Sequence, residues 1–94
     1  MTPERNRFRA LVTDHLKVLA EMRLVGTGTE STWLYFRKLA TWNGAHDWVV
    51  RQLEKKTFTL PMHMDITDAI DEVKVAATEV FRSLPRPKGT SDGR

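Results

Sequence analysis

Apolar residues return along this chain at the spacing of helix faces, and no stretch alternates as a half-buried strand would. Phe8, Leu11, Val12, Leu16, Leu19 and Met22 form one stripe running to Leu24. Thr2-Pro3-Glu4 precedes it, with a capping hydroxyl, a proline whose φ suits a first turn, and an acid at the positive end of the dipole. The first helix is expected there. Gly26-Thr27-Gly28-Thr29 should end it, glycine supplying a left-handed cap and Thr29 or Ser31 capping a second helix over about Glu30 to Trp42. Asn43-Gly44 reads as a stop, after which Val49, Val50 and Leu53 mark a third helix from about Ala45 to Lys56, with Lys55-Lys56 at the negative end of its dipole.

Thr57 to Met64 contains Pro61 and the β-prone run Thr57-Phe58-Thr59-Leu60, and reads as an ordered loop or a short extended piece. Asp65-Ile66-Thr67-Asp68 has the form of a capping box with aspartate in place of glutamate. Ile66, Ala69, Ile70, Val73, Ala76, Ala77, Val80, Phe81 and Leu84 then make a continuous helical stripe. The expectation is an all-α protein: a compact bundle or orthogonal array of about four helices forming one domain over residues 1–84. Residues 85–94, with Pro85-Arg86-Pro87-Lys88-Gly89, are expected to be a flexible tail.

Size and composition narrow this further. Ninety-four residues allow one modest core. Without cysteine there is neither a disulfide framework nor a thiolate metal site, so packing must hold the fold. No apolar run reaches the ~18 residues of a membrane span, and the first residues lack the apolar stretch of a signal peptide, so a cytoplasmic protein without membrane contact is expected. The formal charge of +3 is unevenly placed. Residues 31–57 carry Arg37, Lys38, Arg51, Lys55 and Lys56 against Asp47 and Glu54, whereas residues 65–84 carry Asp65, Asp68, Asp71, Glu72 and Glu79 against Lys74 and Arg82. The domain has a basic middle and an acidic last helix.

Trp33, Tyr35, Phe36, Trp42 and Trp48 crowd that basic middle. They hold more aromatic area than one helix face can hide, so at least one tryptophan should be partly exposed. The plainer account places Trp33, Phe36 and Trp48 in the core. Exposed tryptophan is a preferred anchor at protein interfaces, since it buries a large area with few rotatable bonds. Trp33, Tyr35, Arg37, Lys38, Trp42, Trp48 and Arg51 are therefore the candidate residues for a protein partner or for self-association.

Residues 39–54, Leu-Ala-Thr-Trp-Asn-Gly-Ala-His-Asp-Trp-Val-Val-Arg-Gln-Leu-Glu, resemble the helix-turn-helix of bacterial regulators. In that family a small residue sits at the helix crossing, a glycine follows four positions later in the turn, and apolar residues six and nine positions beyond it lock the second helix. Ala40, Gly44, Val50 and Leu53 match those roles, with Leu39 as the apolar neighbour. The resemblance implies a dimeric DNA-binding regulator with His46, Asp47, Trp48, Arg51 and Gln52 facing the major groove, where Arg and Gln make bidentate contacts. The alternative is an ordinary helical hairpin.

Other clusters have simpler accounts. Met62-His63-Met64 offers ligand types that suit Cu(I), but with no second cluster the methionines are better read as bridging a loop to the core. His15 falls on the first apolar stripe and reads as a core-edge histidine, and His46 as a surface residue at a helix start. Asp65, Asp68, Asp71 and Glu72 occupy the first turns of a helix, where the dipole favours acids. Gly26 and Gly28 lack the lysine and preceding strand of a phosphate loop. No catalytic residues, cofactor, metal or small-molecule substrate are assigned, and the expected function is non-enzymatic: a regulatory, adaptor or inhibitor protein working by protein contact, with DNA binding as the alternative.

Overall fold

The computed structural model describes residues 3–87, and among these the chain forms four helices and no strand. They are α1 (Pro3–Gly26), α2 (Thr29–Leu39), α3 (Trp42–Glu54) and α4 (Ile66–Ser83). α4 is the central helix and packs against each of the other three, most extensively against α1. Its inward face, Ala69, Ile70, Val73, Ala76, Ala77 and Val80, meets Phe8, Val12, Leu16 and Ala20 of α1, Phe36 and Leu39 of α2, and Ala45, Trp48 and Val49 of α3 in one core. No described helix is long and apolar enough to cross a membrane.

Local chemistry explains the helix ends. Asp65 and Asp68 form the expected capping box: Asp68 N–H donates to Asp65 Oδ1 at 2.9 Å and Asp65 N–H to Asp68 Oδ2 at 3.3 Å. Between α1 and α2 the left-handed position is Gly28, with φ of 92°, and it is also the N-cap of α2. Neither Thr29 nor Ser31 caps that helix. Thr29 is already its first residue, and the Thr32 hydroxyl donates back to the Gly28 carbonyl at 2.7 Å. α3 ends through Lys56, a non-glycine residue at φ 59°, which lets Thr57 N–H reach the Gln52 carbonyl at 3.0 Å.

The α2–α3 junction differs from the sequence reading. α2 stops at Leu39 and α3 starts at Trp42, so Asn43-Gly44 lies in the first turn of α3 rather than between helices. Thr41 makes the break. Its N–H and hydroxyl both donate to the Lys38 carbonyl, at 2.9 and 2.6 Å, and its Oγ accepts from Gly44 N–H at 3.1 Å. Gly44 serves this corner by having no side chain, not by a left-handed φ. A Cβ there would fall inside contact distance of the Lys38 carbonyl oxygen.

α1 and α4 are also tied by charge. Glu72 is buried, and its two oxygens accept from Arg5 Nε at 2.8 Å and Arg9 Nε at 2.7 Å, while Arg5 reaches Asp68 at 3.2 Å. The hydrogen bond to Glu72 raises Arg5 above its ordinary pKa, with desolvation opposing. Residues 57–64 form an ordered loop pinned by Phe58, whose ring lies edge-on to Phe8 at 5.4 Å, and by buried Met64. Leu11 and Met22 do not join the α1 stripe that enters the core; both are more than half exposed. Of the expected tail, Pro85–Pro87 are described, with Pro87 buried; residues 88–94 lie outside the described residues.

Candidate functional site: two edges of the second helix

α2 buries Thr32, Phe36 and Leu39, which leaves Leu34 and Lys38 outermost and sends Trp33 and Tyr35 to opposite edges. The seven candidate contact residues therefore do not form one surface. Trp33 leans on α4, its ring 5.0 Å from that of Phe81, with the Arg37 guanidinium 5.6 Å from the Trp33 centroid. Trp42, at the start of α3, joins this side: it is 42% exposed, and Lys74 Nζ of α4 stands 5.9 Å from its ring centroid. Lys74 and Phe81 lie two turns apart on α4, roughly 10 Å. Beside them the outer face of α4 has a shallow depression of about 570 Å³, lined by Lys74, Val75, Thr78, Glu79, Arg82 and Ser83. Aromatic rings and cations thus meet along the α2–α4 side, and the depression next to Lys74 adds the exposed Val75, the cation Arg82 and the acid Glu79.

Tyr35 occupies the other edge, in a cleft of about 180 Å³ with Lys38, Asp47 and Arg51 at its rim. Arg23 of α1 lies over its ring at 4.0 Å. Burial raises the Tyr35 hydroxyl above the ordinary tyrosine pKa, and the cations Arg23 and Arg51 and the Trp48 indole N–H act against that rise. The cleft is smaller than the ~300 Å³ from which ligand pockets usually start.

Two candidate residues are displaced by the structure. Trp48 is 3% exposed and packed between the rings of His15 and Phe58, both centroids 5.8 Å away, so it is a core residue and offers no anchor to a partner. Gln52 is likewise buried, so it cannot reach a base edge in this conformation. The inward face of α3 is Ala45, Trp48, Val49 and Gln52, with Val50 and Leu53 only partly covered. The i, i+3, i+4, i+7 spacing of this face ends on polar Gln52, whereas the apolar Val49, Val50 and Leu53 point to a face turned partly away from it. His46, Asp47 and Arg51 are exposed as expected, His46 Nδ1 lying 3.4 Å from Asp47 Oδ1. The residues sequence reasoning did not single out are Lys74, Val75 and Arg82; the acidic character of α4 drew attention away from its one mixed face. His15 is more exposed than a core-edge reading implies, and Met62 is exposed while Met64 is buried.

Among the described residues no three His, Asp or Glu side chains gather as a metal site would require. Comparison of the chain with protein-family models, with curated proteins and with solved structures finds no match.

Proposed function

We propose that this protein is a non-enzymatic binding module, of the regulatory, adaptor or inhibitor kind, that engages an acidic protein surface through the α2–α4 side. The observation that carries this reading is Trp42: a tryptophan left 42% exposed, with Lys74 at its ring, on the side where Arg37 covers Trp33. Exposed indole flanked by cations suits a partner that presents apolar side chains among carboxylates, because the ring supplies buried area and the cations steer encounter. Trp33, Arg37, Trp42, Lys74 and Arg82 are the contact residues of this proposal, Tyr35, Lys38 and Arg51 belonging to the opposite edge.

DNA reading by α3 is the weaker proposal. Its exposed face carries Asn43, His46, Asp47, Arg51 and Glu54, which leaves Arg51 as the one fixed cation on that face between two acids, and Trp48 and Gln52 are buried. The test is capture from cell extract with immobilised protein, followed by identification and affinity measurement of whatever is held. An acidic protein retained by the wild type and lost with Trp42→Ala, while Arg51→Ala retains it, supports the α2–α4 side. Salt-sensitive duplex binding abolished by Arg51→Ala, with no protein retained, overturns it in favour of α3.

A further inference from the structure

α1 has a second apolar face that the monomer leaves uncovered. Leu11, Val18, Met22 and Val25 are 52, 56, 66 and 91% exposed, which makes them four of the nine large apolar residues left exposed in the described chain. With exposed His15 between them they occupy positions 11, 15, 18, 22 and 25, a 4-3-4-3 spacing. A helix needs only one apolar face to join its own core, and Phe8, Val12, Leu16 and Ala20 already supply it. Alternating steps of four and three residues keep these five positions on one straight face, the spacing by which one helix packs along another.

We infer that two copies of this chain pair along this face of α1. The seam from Leu11 to Val25 is roughly 21 Å long at the rise of an α-helix. Its exposed apolar side chains form a patch on the order of 400 Å², within the roughly 300–600 Å² of the largest patch on a typical soluble monomer, a patch that is often functional. Two such patches bury about 800–1,000 Å² together before flanking atoms count, the lower end of specific interfaces, so the pair is weak and reversible, dissociating in the roughly micromolar range. The bordering exposed charges, Arg7, Asp14, Lys17 and Glu21, cancel. Two identical faces therefore meet without net repulsion, and a charged partner or an anionic lipid surface gains nothing from them. A groove of about 330 Å³ beside the seam, lined by Leu11, Asp14, His15, Val18, Thr57 and Phe58, gives the partner helix's side chains a place to enter. His15 supplies the one polar side chain in the seam, the device by which such pairs fix their register.

Sedimentation velocity of the full chain over a wide concentration range tests this. The wild type should pass from a 10.8 kDa species to one of twice that mass. Val18→Glu combined with Met22→Glu should weaken pairing at least ~100-fold, since a charge at each of two anchors is left without a partner in the seam. Both positions are exposed, so the variant should keep the wild-type far-ultraviolet spectrum and melt, which distinguishes lost pairing from lost folding. Amide shifts that move on dilution should fall on residues 11–25. A wild type that stays monomeric into the millimolar range, or a dimer that the double variant leaves intact, overturns the inference. Monomeric protein that binds neutral phosphatidylcholine vesicles through these residues overturns it too, in favour of a lipid surface.

Discussion

Gly44→Ala is the substitution that most directly tests the α2–α3 corner. On propensity alone it should stabilise, because alanine is favoured over glycine within a helix by roughly 0.5–1 kcal/mol. The corner opposes that gain. The new Cβ would sit inside contact distance of the Lys38 carbonyl oxygen, 2.8 Å from the carbonyl carbon and 3.2 Å from Leu39 Cα. These are backbone atoms and cannot rotate away. The same carbonyl accepts from the Thr41 N–H and hydroxyl, so displacing it disturbs the bonds that end α2 and begin α3. Overpacking of this kind costs ~1–3 kcal/mol and more where backbone must move, so the clash outweighs the propensity and the net loss should be about 2 kcal/mol. For a chain of this size that lowers Tm by ~8–16 °C, read by thermal unfolding in the far ultraviolet. Asn43→Ala, at an exposed neighbour in the same turn, is the control and should change little. A Gly44→Ala protein as stable as the wild type would refute the claim that glycine is there for close approach.

Lys56→Gly should stabilise by roughly 0.5–1 kcal/mol, because glycine removes the cost of the left-handed φ while the Thr57 bond to Gln52 is kept; denaturant titration reads it as a higher midpoint at constant slope. Glu72→Ala should lower Tm by several degrees by leaving Arg5 and Arg9 without their shared acceptor, and Glu72→Gln, which keeps only part of the acceptor, should fall between. The raised pKa of Tyr35 means that the fold binds its proton more tightly than the unfolded chain does. Its contribution is therefore complete below the unfolded value near 10 and is lost as pH climbs from there toward the folded pKa, and Tyr35→Phe should flatten stability over that alkaline range.

The legible parts of the fold were those set by short-range chemistry. The four helices, the Asp65–Asp68 box, the glycine turn before α2 and the apolar face of α4 all follow from residues within a turn of one another. The α2–α3 corner did not, because Asn-Gly has two uses: glycine can supply a positive φ or an absent side chain, and only the approach of Lys38 decides between them. Partition of the tryptophans was half legible. Their number required an exposed one, but which of Trp33, Trp42 and Trp48 it was depended on which face each helix turns to α4 and, for Trp42, on where α3 begins. The contribution of α4 to the candidate surface was hidden for another reason. Lys74 meets Trp42, thirty-two residues earlier, only once α3 packs on α4, and local pattern carries no trace of that meeting.

The central position of α4 bears on how the protein is made. α1, α2 and α3 are synthesised first, yet each buries its apolar face against a helix that the ribosome has still to deliver. Until Val80 has been added, Leu16, Phe36 and Val49 lack part of their covering, and the growing chain carries an apolar surface that the finished molecule hides. Closure of the core therefore waits for α4, whatever the three earlier helices have formed on their own. A nascent chain arrested before α4 should be a substrate for chaperones and proteases, and one arrested after α4 has cleared the exit tunnel should resist both.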